Sequence, residues 1–104
     1  MRPPTRAAWL AWRASLPAVP DIRDFDDGRG SKYAMRNALT FVQDGLCATC
    51  FRRGLPMVLD HEHFTGLARG MLCRGCNVRE GARPGYGAAV LRLYRANPPA
   101  FGAG

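Results

Sequence analysis

The sequence has no long hydrophobic run, and no stretch approaches the ~20 consecutive apolar residues of a membrane-spanning helix. Its start, "MRPPTRAAWLAWRASLP", combines basic residues with a short apolar stretch. Arg13 and two tryptophans interrupt that stretch, so it does not form the core of a signal peptide. We therefore expect a cytoplasmic protein with no membrane contact, whose cysteines bind metal rather than form disulfides.

Lysine is almost absent: the sequence has one lysine and fourteen arginines. The formal net charge of +7 favours a polyanionic partner such as nucleic acid. The alternative is that a chain rich in Ala, Arg, Gly and Pro only reflects the codons of a GC-rich genome. Four cysteine thiolates on one Zn²⁺ would also lower the net charge to about +5.

The chain is short of material for a large core, because its 104 residues include twelve glycines and eight prolines. A domain of this size often needs a metal site or disulfides. Its four cysteines form two pairs, Cys47-x2-Cys50 and Cys73-x2-Cys76, separated by 22 residues. Two such pairs supply the four thiolates of a closed, tetrahedral structural zinc site. A redox role for one pair is the alternative, but neither pair has a thioredoxin-like βαβ setting.

The N-terminal segment predicts a helix that Thr5 caps and that runs to about Leu16, before Pro17. Trp9 and Trp12 lie on one face of this helix at helical spacing. That face either packs on the core or forms an interface, and we expect it to be the contact of a homodimer.

Two further helices are predicted on either side of the cysteine segment. Ser31 is expected to cap "KYAMRNALTFVQDG", which ends at Gly45, and "AAVLRLYRAN" forms a last helix before Pro98-Pro99. The aspartates of "PDIRDFDDGRGS" lack the order of a calcium loop, so this stretch is interpreted as a solvated linker. The chain then divides into a helical segment with an acidic linker (1–46), a zinc-bound core (47–81), and a C-terminal helix and tail (82–104).

Between the cysteine pairs, Met57–Leu59 and Leu67–Leu72 are predicted as two short strands joined by "HEHFTG". The hairpin must return on itself, because both pairs have to reach one zinc. A short helix begins after the second pair, near Asn77. Asp60, at the end of the first strand, can then face Asn77.

These residue types predict a second metal site with hydrolytic chemistry. The Asp60 carboxylate and the Asn77 carbonyl are hard oxygen ligands that suit Mg²⁺. A neutral histidine beside such an ion can deprotonate a water for attack on phosphorus. The zinc itself cannot do so, because four thiolates leave it no open position.

The segment "CATC…LDHEHFTGLARGMLCRGCNVREG" resembles the recombination endonuclease VII family, within the HNH or His-Me finger group of ββα-metal nucleases. The resemblance covers Cys47 to Gly81 in one ordered block. The matching positions are Cys47, Cys50, Asp60, His61, His63, Thr65, Gly66, Arg69, Gly70, Leu72, Cys73, Cys76 and Asn77.

The resemblance implies an α+β fold, with a small zinc-stapled ββα-metal core between flanking helices. It implies a DNA endonuclease in which the four cysteines hold structural zinc, and Asp60 and Asn77 hold catalytic Mg²⁺ or Mn²⁺. It further implies that His61 is the general base, that His63 contacts the phosphate or assists the leaving group, and that the protein is a dimer.

The arginines in and around the motif are candidates for phosphate contacts with DNA. We expect this role for Arg69, which matches the family's Arg-Gly, and for Arg52, Arg53 and Arg74; for each, a solvated face is the alternative. The alternative function is a zinc-stapled DNA-binding module without catalytic activity, in which Asp60 and Asn77 would be dispensable.

Overall fold

A two-stranded antiparallel hairpin lies among four helices in the computed structural model, within the residues that it describes: 4–19, 28–61, 67–80 and 88–100. In chain order the elements are α1 (Arg6–Ser15), α2 (Gly28–Val42), β1 (Met57–His61), β2 (Ala68–Cys73), α3 (Arg74–Glu80) and α4 (Ala88–Ala96). This order confirms the predicted α+β class, with a strand–strand–helix unit between other helices. Among the described residues, no helix is both long and apolar enough to cross a membrane.

The hairpin pairs β1 with β2 in a regular register from Met57 opposite Cys73 to Asp60 opposite Gly70. The register then shifts, because His61 pairs with Ala68 and leaves one residue of β2 without a direct partner. Both predicted strands are present, and β1 continues two residues beyond its predicted end, to His61. The shift is a bulge with its extra residue on β2. It lies opposite the end of β1, where Asp60 and His61 are the proposed catalytic residues.

Helix α1 confirms the sequence prediction at both ends. The Thr5 hydroxyl accepts a hydrogen bond from the Ala8 N–H at 3.1 Å, and Leu16 caps the C-terminus. Trp9 is fully buried, and its indole N–H donates to the Ala48 carbonyl at 2.7 Å. The expectation that this face is the contact of a homodimer is therefore wrong for Trp9, because a core this small uses its largest side chain for packing.

Helix α2 begins at Gly28, so the prediction that Ser31 caps it is wrong. Serine costs little inside a helix and is a weak boundary signal on its own. The predicted end at Gly45 lies three residues beyond the observed end at Val42, in a turn where Asp44 and Gly45 adopt positive φ, 54° and 71°. This turn leads the chain into the first cysteine pair.

The outer edge of β2 is covered by hydrogen bonds from other parts of the chain rather than by a third strand. The Gln43 side chain accepts from the Met71 N–H and donates to the Met71 carbonyl, both at 2.9 Å. The Ala48 N–H donates to the same carbonyl at 3.0 Å, and the Ala100 N–H donates to the Arg69 carbonyl at 2.9 Å. These contacts satisfy the backbone of a buried edge and fix β2 in place.

Helices α3 and α4 complete the packing around the hairpin. Helix α3 starts at Arg74, inside the second cysteine pair, whereas the sequence predicted a start after that pair. In α4, Val90, Leu91 and Tyr94 are buried. The proposed division of the chain into three segments stays a prediction.

Trp9→Ala is expected to lower the free energy of unfolding by about 3–5 kcal/mol, because it empties a fully buried position and removes the donor to Ala48. Denaturant unfolding followed by circular dichroism measures the change. Leu10→Ala, at a neighbouring position that is 39% exposed, is the control and should cost less than about 1 kcal/mol. A Trp9→Ala protein of normal stability that dissociates from dimer to monomer in light scattering would instead place this side chain in an interface.

Candidate metal centre and active site

Four cysteine side chains from three parts of the fold meet at one point. Cys47 and Cys50 precede the hairpin, Cys73 is the last residue of β2, and Cys76 lies in α3. Their sulfur atoms all lie within 4.8 Å of one another, and the Cys50 and Cys73 sulfurs are 3.9 Å apart. A tetrahedral zinc with Zn–S bonds of about 2.3 Å holds its sulfurs about 3.8 Å apart. The four predicted ligands are thus brought close enough together to bind one zinc ion.

The first cysteine pair is held in a tight turn by its own backbone. The Phe51 N–H donates to the Cys47 carbonyl at 3.1 Å, and the Cys47 N–H donates to the Arg52 carbonyl at 2.9 Å. Phe51 adopts a positive φ of 62°, which curls the chain. The Arg52 Nε donates to the Cys50 sulfur at 3.4 Å, so Arg52 adds positive charge beside the thiolates.

The crowded sulfurs differ in how readily they lose a proton. The pKa of Cys47 falls to about 4, mainly because its thiolate accepts a hydrogen bond from Cys76. The same hydrogen bond raises the pKa of Cys76, and burial raises it further. Burial is the main cause of the raised pKa of Cys50. Among these crowded sulfurs the first negative charge is therefore favoured at Cys47, and burial disfavours further charges at Cys50 and Cys76. A divalent ion such as zinc compensates these charges and binds with release of protons.

Asp60 lies in a buried polar cluster toward the other end of the hairpin from Cys73, since Asp60 is opposite Gly70 and Cys73 is opposite Met57. Its carboxylate is 4% exposed and forms an ion pair with Arg69, which is 5% exposed. The Arg69 Nε donates to Oδ2 at 2.7 Å, the second guanidinium bond reaches Oδ1 at 3.2 Å, and the Tyr94 hydroxyl donates to Oδ2 at 2.8 Å. Sequence reasoning missed Tyr94, although a tyrosine on an apolar helix face needs a buried partner for its hydroxyl.

The bulge in the hairpin explains how Arg69 reaches Asp60. Gly70 is directly opposite Asp60, and Arg69 is the extra residue that the register shift leaves on β2. A bulge redirects a side chain relative to the normal alternation of a strand. A Cβ at Gly70 would lie 3.0 Å from the Tyr94 ring and 3.1 Å from Pro99, so a larger residue would push these neighbours back by a few tenths of an ångström.

The structure places the predicted catalytic residues as follows. His61 follows Asp60 at the end of β1 and is exposed, whereas Asn77 lies half-buried in α3, next to Cys76. Helix α3 packs against both strands, so the zinc site fixes the segment that carries Asn77 relative to β1. His63 lies outside the described residues. The catalytic and metal-binding roles of these four side chains stay predictions.

The four candidate DNA-binding arginines have different surroundings. Arg69 is buried with Asp60, and Arg52 contacts the Cys50 sulfur. Arg53 forms an exposed ion pair with Asp44 at 2.6 Å, and Arg74 is exposed at the start of α3. A phosphate contact by Arg69 would require its guanidinium to leave Asp60, so Arg74 is the better placed of these two. Their roles toward DNA stay predictions.

The sequence matches the model of one protein family, described as recombination endonuclease VII, over residues 26–96. The match covers more than half of the chain and extends from α2 to the end of α4, beyond the cysteine segment that carried the resemblance. Comparisons with curated proteins and with solved structures give no match.

Purified protein is expected to contain about one zinc per chain, and a strong chelator should unfold the hairpin and α3, since metal binding energy is folding energy here. Metal analysis and circular dichroism measure both effects. Cys76→Ala should lose zinc, whereas Gly75→Ala should keep it, because a Cβ at Gly75 meets nothing within 4 Å. A folded, zinc-free protein with two disulfides would contradict this assignment.

Arg69→Met is expected to cost about 3–5 kcal/mol of stability, because it leaves the buried Asp60 carboxylate without its counterion. Arg53→Met is a matched control at an exposed pair, where the loss should stay below about 1 kcal/mol. Denaturant unfolding of zinc-loaded protein gives both values, and replacing Asp60 by Leu in the Arg69→Met background should recover part of the loss. Equal small losses at both arginines would mean that the Asp60 pair is not buried in solution.

Proposed function

The chain belongs to the recombination endonuclease VII family, and we propose on this basis that it is an HNH-type, metal-dependent endonuclease that hydrolyses the phosphodiester bonds of DNA. Three features support the proposal: the family match, the four-cysteine centre, and the position of Asp60 and His61 at a bulge in the hairpin that ends at that centre. The family match carries the most weight.

In the proposed mechanism the zinc has a structural role. Its four thiolates hold α3 against the hairpin and leave no position for water. Catalysis therefore depends on a second divalent ion, Mg²⁺ or Mn²⁺, held by the Asp60 carboxylate and the Asn77 side-chain carbonyl. These are hard oxygen donors of the kind that Mg²⁺ takes from proteins. When bound, the ion neutralises charge that develops on the phosphate and the leaving oxygen.

His61 is the proposed general base. Its exposed position at the end of β1 lets solvent and a DNA phosphate approach the ring. The neutral imidazole takes a proton from a water molecule whose oxygen attacks phosphorus, and the bond from phosphorus to the leaving oxygen breaks. His63 contacts the phosphate or assists the leaving group in this proposal.

DNA is the proposed partner because of the family and because of the net charge of +7. The exposed Arg74 on α3 and the exposed Arg53 are proposed to contact phosphates near the site. We also propose a cytoplasmic location, where thiols stay reduced for zinc.

A homodimer is also proposed, because two chains could make two nicks and so give a double-strand break. Trp9 is buried in the core of its own chain, so it is not the contact between the two chains. Light scattering on the full chain measures the oligomeric state.

One observation favours the alternative of a DNA-binding module without activity. The Asp60 carboxylate is already neutralised by Arg69 and bonded to Tyr94, as in a purely structural cluster. In that case DNA binding would persist and cleavage would be absent with any metal ion. The experiment below separates the two functions.

Zinc-loaded wild-type protein is expected to cleave plasmid, branched or single-stranded DNA only when Mg²⁺ or Mn²⁺ is added. His61→Ala should abolish cleavage and leave zinc content and DNA affinity nearly intact, because it removes the base and no ligand of zinc. A gel-based cleavage assay, metal analysis and a binding titration provide the three measurements.

Arg74→Ala is the paired control for this experiment. It should weaken DNA binding and lower the salt slope by about 1, without changing the need for a divalent ion. Normal cleavage by His61→Ala would exclude His61 as the base. Binding without cleavage by the wild-type protein, on all three DNA forms and with both ions, would establish the inactive module.

A further inference from the structure

Tyr94 is far from the proposed active site along the chain, yet it contacts two residues of that site. Its hydroxyl donates to Asp60 Oδ2 at 2.8 Å, across 34 residues of sequence. Its ring faces the Arg69 guanidinium, whose central carbon lies 5.8 Å from the ring centroid. The side chain is fully buried, so it has one position rather than several.

The two carboxylate oxygens of Asp60 differ in their hydrogen bonds. Oδ2 accepts from the Arg69 Nε at 2.7 Å and from the Tyr94 hydroxyl at 2.8 Å. Oδ1 accepts from the second Arg69 nitrogen at the longer distance of 3.2 Å. Each carboxylate oxygen offers about two lone-pair positions. Oδ2 is therefore saturated, whereas Oδ1 keeps acceptor capacity for a cation.

We propose that Tyr94 is a positioning residue of the divalent-ion site, which holds Oδ2 so that Oδ1 is presented to the ion. The proposal rests on the proposed function, because it assigns Tyr94 to the ion that Asp60 and Asn77 would hold. Helix α4 then belongs to the active site and does more than cover the core.

The chemistry of Tyr94 suits this task better than that of Arg69. The guanidinium neutralises the charge that attracts a cation, whereas the phenol is neutral and donates one directed hydrogen bond. Without the hydroxyl, the carboxylate could rotate toward the symmetric, two-pronged arrangement that arginine prefers. Both oxygens would then be equally engaged, and the acceptor capacity of Oδ1 would fall.

The position of the Tyr94 ring is set by its neighbours. A Cβ at Gly70 would lie 3.0 Å from the ring carbon Cε1, so the ring lies directly against the strand that carries Arg69. The segment after α4 contacts the same strand. Pro99 also packs at Gly70, and the Ala100 N–H donates to the Arg69 carbonyl. These contacts hold the ring in place, and with it the hydroxyl that donates to Asp60.

Tyr94→Phe in the zinc-loaded full chain tests the proposal, because it removes one oxygen and changes no charge. Mn²⁺ binding is measured by the electron paramagnetic resonance signal of the free ion, and cleavage is measured against Mn²⁺ concentration. Both the dissociation constant and the cleavage midpoint should rise roughly 10–100-fold, and cleavage at saturating Mn²⁺ should approach that of the wild type. If Tyr94→Phe does not fold, the same measurements are made on Tyr94→Met, which also lacks the hydroxyl.

Leu93→Ala is the matched control, since Leu93 lies on the same helix and packs against the core cluster. It should lower the melting temperature at least as much as Tyr94→Phe while Mn²⁺ affinity stays at the wild-type value. Wild-type affinity in Tyr94→Phe, or an equal loss in Leu93→Ala, overturns the positioning role and leaves the proposed function standing. A wild-type protein that neither binds Mn²⁺ nor cleaves DNA overturns the proposed function, and the positioning role with it.

Discussion

Four cysteine sulfurs within 4.8 Å of one another are the constraint on which the rest of this structure depends. One pair precedes the hairpin and the other follows it, so one bound ion would close the whole hairpin into a loop. Metal binding would offset the entropy lost on closing that loop. The buried cluster is built on the same cysteines, because Trp9 from α1, Leu72 from β2, and Val90 and Tyr94 from α4 pack together with them. The helices at both ends of the chain, α1 and α4, therefore pack on the cluster that contains these cysteines.

Local signals in the sequence were sufficient for much of the fold. The cap at Thr5, the turn at Gly45 and the two strands were predictable because each depends on residues close together in the chain. The cysteine spacing added the long-range link, since two pairs that share an ion must meet. The start of α2 was wrongly predicted at Ser31, because a serine can be either a helix cap or an ordinary helical residue. Trp9 was misjudged because periodicity identifies an apolar face but does not say whether the core or a partner covers it.

The surroundings of the candidate site were less predictable than its residues. Asp60, His61 and Asn77 stand out by residue type and spacing, but the bond from Tyr94 to Asp60 joins positions 34 residues apart. It arises from the packing of α4 on a glycine in β2, which no local pattern encodes. The pairing of Arg69 with Asp60 depends in turn on a one-residue register shift. A regular hairpin with the same sequence would have directed that arginine elsewhere.

The charge balance around Asp60 bears on when the proposed ion binds. In the absence of an ion, Arg69 compensates a carboxylate that burial would otherwise penalise heavily. An ion at Oδ1 would share this carboxylate with a guanidinium, and the two positive groups repel each other. A DNA phosphate supplies negative charge at the same place, because Mg²⁺ commonly completes its shell with substrate oxygens. Binding of the ion and of DNA should then favour each other by the same factor in both directions. Arg69 would lower the affinity of the site for the free ion, and the phosphate to be cleaved would raise it.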